Sequence, residues 1–403
     1  MPSSAASPLV RSFRDITASI RSAPERPVVT LFSGGLDSTY LLHRLRLAGA
    51  SNVHAVSVGL DVDERHDAKE QIAAKLGATL LVVDARERFA ADFVRPAIAA
   101  QAVYLGTHPI SSSLSRPLIA AEAVGVADRL GAGLLLHTAN RSQNTLRRLN
   151  GALGLLGWPG RYGSPYDLDP VDRAQKIQEL KEAGVDELDG RTVSGDSNLW
   201  CREFESGLLD DPESHAVPEE LYRWSRRPDA DTTGVDMVEV AFRAGVPVAL
   251  DGRALPLTEL IAELNVRVGR YGMGRYSGLE HLDHGEKVLE IREMPAAWLL
   301  LRGYRLLENA VLDAETLREK MPLEQLWVRE ALEGRWYGEL RAAVQAFIDV
   351  CARDITGSVR WRLSPGSAET RSIVAERPRY LRDRESWERM SIAAEVASHR
   401  PAI

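Results

Sequence analysis

Strand-like and helical patterns alternate along the first half of the chain, and this alternation limits the fold more than any other sequence feature. Strands are predicted at 27–32, 53–58, 79–82 and 133–137, and helices at 38–48, 66–76, 87–101 and 117–131. Such alternation is typical of a parallel sheet with helices on both faces, whose ligands bind at the carboxyl ends of the strands. We therefore predict an α/β domain with a site at that edge.

The first predicted strand leads directly into a glycine-rich loop and a helix, in the segment VTLFSGGLDSTYLLHRL (29–45). Glycines let the backbone approach an anion closely, and the N–H groups at the start of the helix donate to it. The segment lacks the glycine spacing and the lysine of a Walker loop, and it fits the pyrophosphate-loop pattern SGGxDS/T instead. A plain glycine turn, with Asp37 as a helix-start residue, is the simpler alternative.

A pyrophosphate loop implies ATP as the ligand and indicates which bond breaks. If the loop immobilises the β,γ-diphosphate, the exposed electrophile is the α-phosphorus, and the products are AMP and pyrophosphate. The residues predicted to form the ATP site are Phe32, Ser33, Gly34, Gly35, Leu36, Asp37, Ser38 and Thr39.

Composition argues against several other classes of protein. The chain has 403 residues and a net charge of −7, so it lacks a basic footprint for nucleic acid or an anionic membrane. Cys201 and Cys351 form no CxxC pair, so neither a disulfide framework nor a structural metal site is predicted. Residues 1–27 lack a signal-peptide core, and no apolar run reaches the length of a membrane span. A cytoplasmic protein that acts on small molecules is expected.

The chain is long enough for two domains. The predicted divisions are an N-terminal extension at 1–25, an ATP-binding pyrophosphate-loop domain at 26–187, an α+β substrate domain at 188–375 and a C-terminal tail at 376–403. In the second domain, strand-like pieces at 236–242 and 247–250 precede a long helix from Pro256. The charge-rich tail fits either an oligomerisation arm or a solvated terminal helix.

Several segments in register resemble the argininosuccinate synthase family. FSGGLDST (32–39) resembles the family's SGGLDTS loop, and SLSRPLIA (113–120) resembles its Ser-Leu-Ala-Arg-Pro-Leu-Ile-Ala segment. VSGDSNLWCREFESGLLDDP (193–212) and GRYGMGRYSGLEH (269–281) resemble two later segments of the family. The resemblance implies a pyrophosphate-loop ATP pyrophosphatase fold. It also implies an AMP-forming ligase in which the ureido oxygen of citrulline attacks ATP and the amine of aspartate then displaces AMP.

The resemblance also implies roles for individual residues. It adds His137 to the ATP site, makes Asp37 and Ser38 the candidate catalytic residues, and implies Mg²⁺ carried by the ATP phosphates with no protein ligand assigned. The candidate substrate residues are Ser113, Arg116, Asn140, Asn144, Thr145, Arg148, Ser194, Glu203, Glu280 and Arg292. Because the family is typically a homotetramer with crossing C-terminal arms, a homo-oligomer, either tetramer or dimer, is expected.

Departures from the family pattern fall among these substrate residues. HTANRSQNTLRR (137–148) lacks the family's glycines and lysine, and Asn140 and Thr145 replace the Thr and Asp that hold aspartate. Glu203 replaces a serine, Arg292 replaces a tyrosine, and GTHPISSSLSRP (106–117) carries extra residues. The new charges either pair with each other or bind another zwitterionic or carboxylate-bearing substrate. A solvated, helical Glu203 and a surface Arg292 are the simpler alternatives.

Three functions stay open from the sequence. The first is an AMP- and pyrophosphate-forming ligase with an altered pocket, which adenylates a ureido, amide or carboxylate oxygen and joins the carbon to an amine in specialised metabolism. The second is an authentic argininosuccinate synthase, and the third is a non-catalytic nucleotide-binding homologue. A glutamine-dependent amidotransferase is a weaker option, because no glutaminase domain or nucleophile elbow is recognisable.

Overall fold

The first half of the chain contains a six-stranded parallel sheet. The computed structural model describes residues 8–61, 66–186, 193–226, 234–282 and 285–398. The strands of this half are β1 Leu9–Val10, β2 Val28–Leu31, β3 Val53–Gly59, β4 Ala78–Asp84, β5 Val103–Tyr104, β6 His108–Pro109, β7 Leu134–Leu136 and β8 Arg161–Gly163. The parallel sheet has the order β1-β8-β7-β2-β3-β4, and β5 and β6 form a separate antiparallel pair.

Helices cover both faces of this sheet. They are α1 Phe13–Ser22, α2 Leu36–Leu47, α3 Asp67–Lys75, α4 Arg86–Phe89, α5 Arg95–Ala99, α6 Ser112–Leu130, α7 Thr145–Leu155 and α8 Arg173–Glu182, with a π-helical turn Ala90–Val94 between α4 and α5 and a 3-10 turn Pro165–Asp167. Successive strand residues face opposite sides, so Val28 packs in the apolar cluster of α1 and α2 while Val29 packs in that of α6 and α7. The predicted α/β domain is confirmed.

Two predicted boundaries differ from the structure. The helix predicted from Pro117 begins at Ser112, because residues 112–115 are buried and packing outweighs the preference of proline for a first helical turn. The predicted extension at 1–25 does not stand apart where it is described, since β1 pairs with β8 and Phe13 packs edge-on against Tyr40 and Tyr166.

The second half is mostly antiparallel, as the predicted α+β class requires. Its strands are β9 Ser194–Ser197, β10 Arg202–Glu205, β11 Asp236–Arg243, β12 Val246–Leu250, β13 Arg253–Ala254, β14 Arg275–His281, β15 Lys287–Glu293, β16 Gly357–Ser364 and β17 Ser367–Ala375. They form two sheets, ordered β14-β15-β10-β9 and β13-β12-β11-β16-β17. The helices are α9 Leu257–Gly269, α10 Pro295–Val311, α11 Ala314–Leu332, α12 Glu339–Ala352 and α13 Arg384–Ser398, with 3-10 turns at Gly207–Leu209 and Glu219–Leu221.

One apolar core joins the two halves. Its buried members include Phe89 and Leu114 from the first half and Trp200, Leu299 and Trp327 from the second. Backbone contact reinforces it, because Leu199 N donates to Leu60 O at 2.8 Å just beyond the end of β3. The β9–β10–β15–β14 sheet is therefore held against the carboxyl-end edge of the parallel sheet, where the glycine-rich loop lies.

The C-terminal helix α13 carries apolar side chains that remain exposed in the monomer, namely Trp387, Met390 and Ile392. Among the described helices, none is long and apolar enough to cross a membrane.

Candidate functional site

A cavity of about 1230 Å³ lies between the parallel sheet and the four-stranded antiparallel sheet. One end is lined by the loop after β2, the middle by the start of α7, and the other end by β9, β10, β14 and β15. The carboxyl ends of parallel strands are the usual ligand position in such folds. The edge at which the sequence predicts a site is therefore lined by a large concavity shared by the two halves.

The loop between β2 and α2 has the geometry of an anion cradle. Gly34 has φ +73°, and Gly35 is the N-cap of α2 and offers no side chain to accept from the first N–H groups of the helix. Ser38 Oγ donates to Gly35 O at 3.1 Å and lies 3.2 Å from Ser33 Oγ, so both hydroxyls are gathered at the same place. Unpaired N–H groups and the positive end of the helix dipole then face the cavity.

His137 follows β7 and lines the cavity, but both of its ring nitrogens are already bonded. Nδ1 accepts from Ala139 N at 3.3 Å, so Nε2 carries the proton and donates to Asn150 Oδ1 at 2.9 Å. Burial lowers the pKa of His137 to about 4, against which the Asn150 bond is a smaller, opposing effect. His137 is a neutral residue that fixes the β7–α7 connection beside the loop.

Arg148 and Glu280 form the centre of the predicted substrate region. Arg148 Nη2 lies 3.0 Å from Glu280 Oε1, and its Nη1 donates to Ser112 Oγ at 2.8 Å. Asn144 Nδ2 donates to His281 O at 2.9 Å, while its buried Oδ1 has no partner among the described residues. The site thus combines one bound guanidinium, one carboxylate and one buried amide oxygen that lacks a hydrogen-bond partner.

The two charged replacements, Glu203 and Arg292, pair with each other. They stand opposite on β10 and β15, and Arg292 Nη1 lies 2.8 Å from Glu203 Oε1. Both are buried, so the simpler interpretation of solvated charges is wrong, and Glu203 lies on a strand rather than a helix. Arg292 also donates to Pro109 O at 3.2 Å, and Ser112 N donates to Glu203 Oε1 at 3.4 Å. The segment 109–112 is therefore hydrogen-bonded to this pair.

Glu290, which sequence reasoning missed, is the third member of the cluster. It lies two residues before Arg292 on the same face of β15, and Arg292 Nε donates to its Oε2 at 2.9 Å. The strand period could have found it, because residues i and i+2 share a face. Burial raises the pKa of Glu290 to about 8, although Arg292 opposes the shift. The single positive charge of Arg292 can balance only one of the two buried carboxylates. The pair Glu203 and Glu290 therefore retains one proton near neutral pH.

Replacing Glu290 by glutamine should remove a pH dependence of the free energy of unfolding. The folded pKa of about 8 exceeds the ordinary 4.5, so the folded state holds a proton that the unfolded state has released. Between pH 4.5 and about 8, the wild-type free energy of unfolding therefore falls as pH rises, by ~1.4 kcal/mol per pH unit for this group. E290Q should lack this decline, as measured by urea unfolding at several pH values. The exposed control E376Q should follow the wild type; an E290Q profile parallel to the wild type would contradict the assignment.

The remaining predicted residues are distributed as follows. The cavity is lined by Phe32, Ser33, Gly35, Leu36, Asp37, Ser38, Arg116, His137, Asn144, Thr145, Arg148, Ser194, Glu203 and Glu280. Ser113, Gly34, Thr39, Asn140 and Arg292 do not line it. Ser112 lines the cavity instead of Ser113, and Asn140 Oδ1 accepts from Ser142 N at 3.0 Å within its own turn. Arg116 lies 3.1 Å from Asp196 on β9.

Comparison with known proteins covers nearly the whole chain. Residues 27–153 match the family model described as the arginosuccinate synthase N-terminal HUP domain, and residues 193–394 match the arginosuccinate synthase C-terminal domain. A curated relative, the argininosuccinate synthase of Rubrobacter xylanophilus, is 34% identical over 376 residues, which cover 93% of this chain and 91% of the relative. That of Methanocaldococcus jannaschii is 35% identical over 349 residues, covering 85% and 87%. The similarity thus spans both walls of the cavity.

Proposed function

We propose, since the chain belongs to the argininosuccinate synthase family, that it joins citrulline to aspartate with cleavage of ATP to AMP and pyrophosphate. Membership of the family establishes the reaction class, which is that of an ATP-dependent ligase that forms a C–N bond. The relatives carry the name of the synthase itself, which favours authentic substrates over the altered pocket expected from the sequence. They also give no support to a non-catalytic nucleotide-binding role.

The observation that carries the proposal is the continuity of the cavity. One concavity holds the loop Ser33–Ser38 at one end and Arg148 with Glu280 at the other. An ATP bound through its terminal phosphates on the loop would therefore share a space with an amino acid bound by the guanidinium and the carboxylate. Catalysis in such a site is mostly positioning and charge stabilisation.

The proposed reaction has two steps. The ureido oxygen of citrulline attacks the α-phosphorus, a P–O bond forms, and the bond to pyrophosphate breaks. The amine of aspartate then attacks the activated carbon, loses a proton, and AMP leaves with the C–O electron pair. Ser33, Ser38 and the first N–H groups of α2 would hold the departing pyrophosphate, while Asn144, Arg148 and Glu280 would hold citrulline. Thr145, which lines the same cavity, stands where the resemblance implies a contact with aspartate.

Magnesium would accompany the nucleotide, where it neutralises phosphate charge. Asp37 is the one carboxylate in the loop Ser33–Ser38, and its Oδ1 is bonded to Lys176 at 2.5 Å. Within the described ranges, no group of three or more His, Cys, Asp or Glu side chains is arranged to hold a metal ion. We therefore propose no protein ligand for the ion, which the phosphates of ATP would carry.

Pyrophosphate release tests this function directly. With ATP, Mg²⁺, citrulline and aspartate, we expect release of pyrophosphate and a product with the mass of argininosuccinate. Omission of aspartate should stop turnover after activation, and omission of citrulline should abolish it. Binding of ATP without argininosuccinate formation would contradict the proposed substrates while leaving the ligase class intact, and a panel of other ureido and carboxylate substrates would follow.

A different activated substrate is the second candidate, and one observation favours it. Glu203 and Glu290 line the cavity, whereas their common partner Arg292 does not, and the resemblance implies a serine at the position of Glu203. Substrates with another charge arrangement would then replace citrulline.

The homo-oligomer implied by the resemblance also remains a proposal, supported by the exposed Trp387, Met390 and Ile392 of α13. A solution molar mass measurement checks it.

A further inference from the structure

Two lysines that the sequence motifs do not include converge on the phosphate end of the cavity. Lys69 comes from α3 and Lys176 from α8, and both line the cavity beside the loop Ser33–Ser38. The two helices are separated by more than half of the first domain in sequence, so only the fold brings these ammonium groups together.

Lys176 is fixed against the first turn of α2. Its Nζ lies 2.5 Å from Asp37 Oδ1 and 5.2 Å from the centre of the Tyr166 ring. Tyr166 in turn donates its hydroxyl to Asp37 O at 3.0 Å. The Lys176 side chain is 11% exposed and that of Asp37 is 36% exposed, and both residues line the cavity.

Lys69 approaches the glycines of the same loop. Its Cγ lies 3.0 Å from the position that a Cβ on Gly34 would take, so the aliphatic stem lies on the bare glycine backbone. Its Nζ donates to Ser57 Oγ at 2.8 Å, near the carboxyl end of β3. The aliphatic part of Lys69 thus covers the loop, while its ammonium group lies at Ser57, which lines the cavity.

We propose that Lys69 and Lys176 bind the β- and γ-phosphates of ATP and thereby hold the α-phosphorus in position for attack. A triphosphate carries several negative charges, and lysine is a common point-charge partner for phosphate. The segment 137–148, which carries a lysine in the family pattern, has none in this chain. The Lys176 ammonium group would contact Asp37 and a phosphate oxygen at the same time, and both lysines are positioning residues. The proposal rests on the ATP part of the proposed function and is independent of citrulline.

Nucleotide binding separates this role from a purely structural ion pair. The probes are α,β-methylene-ATP, whose α–β bridge cannot be cleaved, and AMP, which lacks the β- and γ-phosphates. Calorimetric titration of K69M and K176M should show that affinity for the triphosphate falls ~10- to 100-fold, in the range of a lost charge-assisted contact. Affinity for AMP should stay within about 2-fold of wild type, which also shows that the variants are folded.

Matched controls lie on the same two helices. Lys75 on α3 and Lys181 on α8 are exposed and do not line the cavity. K75M and K181M should bind both nucleotides as the wild type does. Equal losses for AMP and the triphosphate would assign the lysines a structural role, and unchanged triphosphate affinity would exclude phosphate contact; either result overturns the proposal. Because the assay contains no amino acid, these outcomes are independent of whether citrulline is the substrate.

Discussion

Replacing Arg292 by methionine should lower the free energy of unfolding by about 3–5 kcal/mol, because two buried carboxylates lose their common partner. Glu203 and Glu290 are 6% and 4% exposed, and Arg292 contacts both. Methionine fills much of the same volume but cannot donate to either carboxylate or to Pro109 O. Urea unfolding followed by circular dichroism measures the loss.

The triple variant R292M/E203Q/E290Q distinguishes broken pairing from lost packing. With one proton already held by the two carboxyl groups, neutral glutamines remove the one charge that R292M leaves uncompensated, so most of the lost stability should return. The control R371M breaks the Arg371–Glu369 contact of 2.8 Å at a side chain that is 51% exposed, and should cost under about 1 kcal/mol. If R292M and the triple variant were equally destabilised, the cost would come from packing and the charge argument would fail.

The cluster also joins the segment 106–117 to strands β10 and β15. Arg292 donates to Pro109 O, and Glu203 accepts from Ser112 N, so both residues are bonded to that segment. Ser112 in turn accepts from Arg148, which holds Glu280. A change at any one of these positions would leave a buried polar group unpaired. The substrate end of the cavity therefore acts as one hydrogen-bonded unit.

The sequence predicts the parts of the site that depend on local pattern. The loop Ser33–Ser38 was identifiable because its residues are adjacent, and the parallel sheet because strand and helix periods alternate over a long range. Glu290, Lys69 and Lys176 were missed, since each is a single charged residue on an ordinary strand or helix. Only tertiary packing places them beside the cavity.

The register of the pairing between β10 and β15 is likewise known only from the structure. The sequence left open whether Glu203 and Arg292 meet, and the antiparallel pairing of β10 with β15 places them directly opposite. A shift of one residue in that pairing would have turned their side chains to opposite faces of the sheet. Ser112 and Ser113 show the same limit within α6: adjacent serines are equivalent in pattern, but only Ser112 lines the cavity.

Replacing Gly34 by alanine should lower kcat/KM for ATP by about 100-fold or more while the protein remains folded. The residue has φ +73°, which costs an alanine ~1 kcal/mol or more. Its new Cβ would also lie 3.0 Å from Lys69 Cγ, so the loop or the lysine must shift. Either shift moves the N–H groups and hydroxyls that the proposed function assigns to the phosphates, and a small displacement of a positioned group is costly in rate.

Gly49 supplies a control with the same backbone strain but no role in the site. It has φ +85° and nothing within 4 Å of the position that an added Cβ would take, and it follows the end of α2 far along the helix from the loop. G49A should therefore lose a similar ~1 kcal/mol of stability and retain wild-type kinetics. Comparing the two variants by thermal unfolding and steady-state ATP kinetics separates strain from phosphate binding. If G34A kept wild-type kcat/KM for ATP, the loop would not hold the phosphates, and the site would have to bind ATP elsewhere.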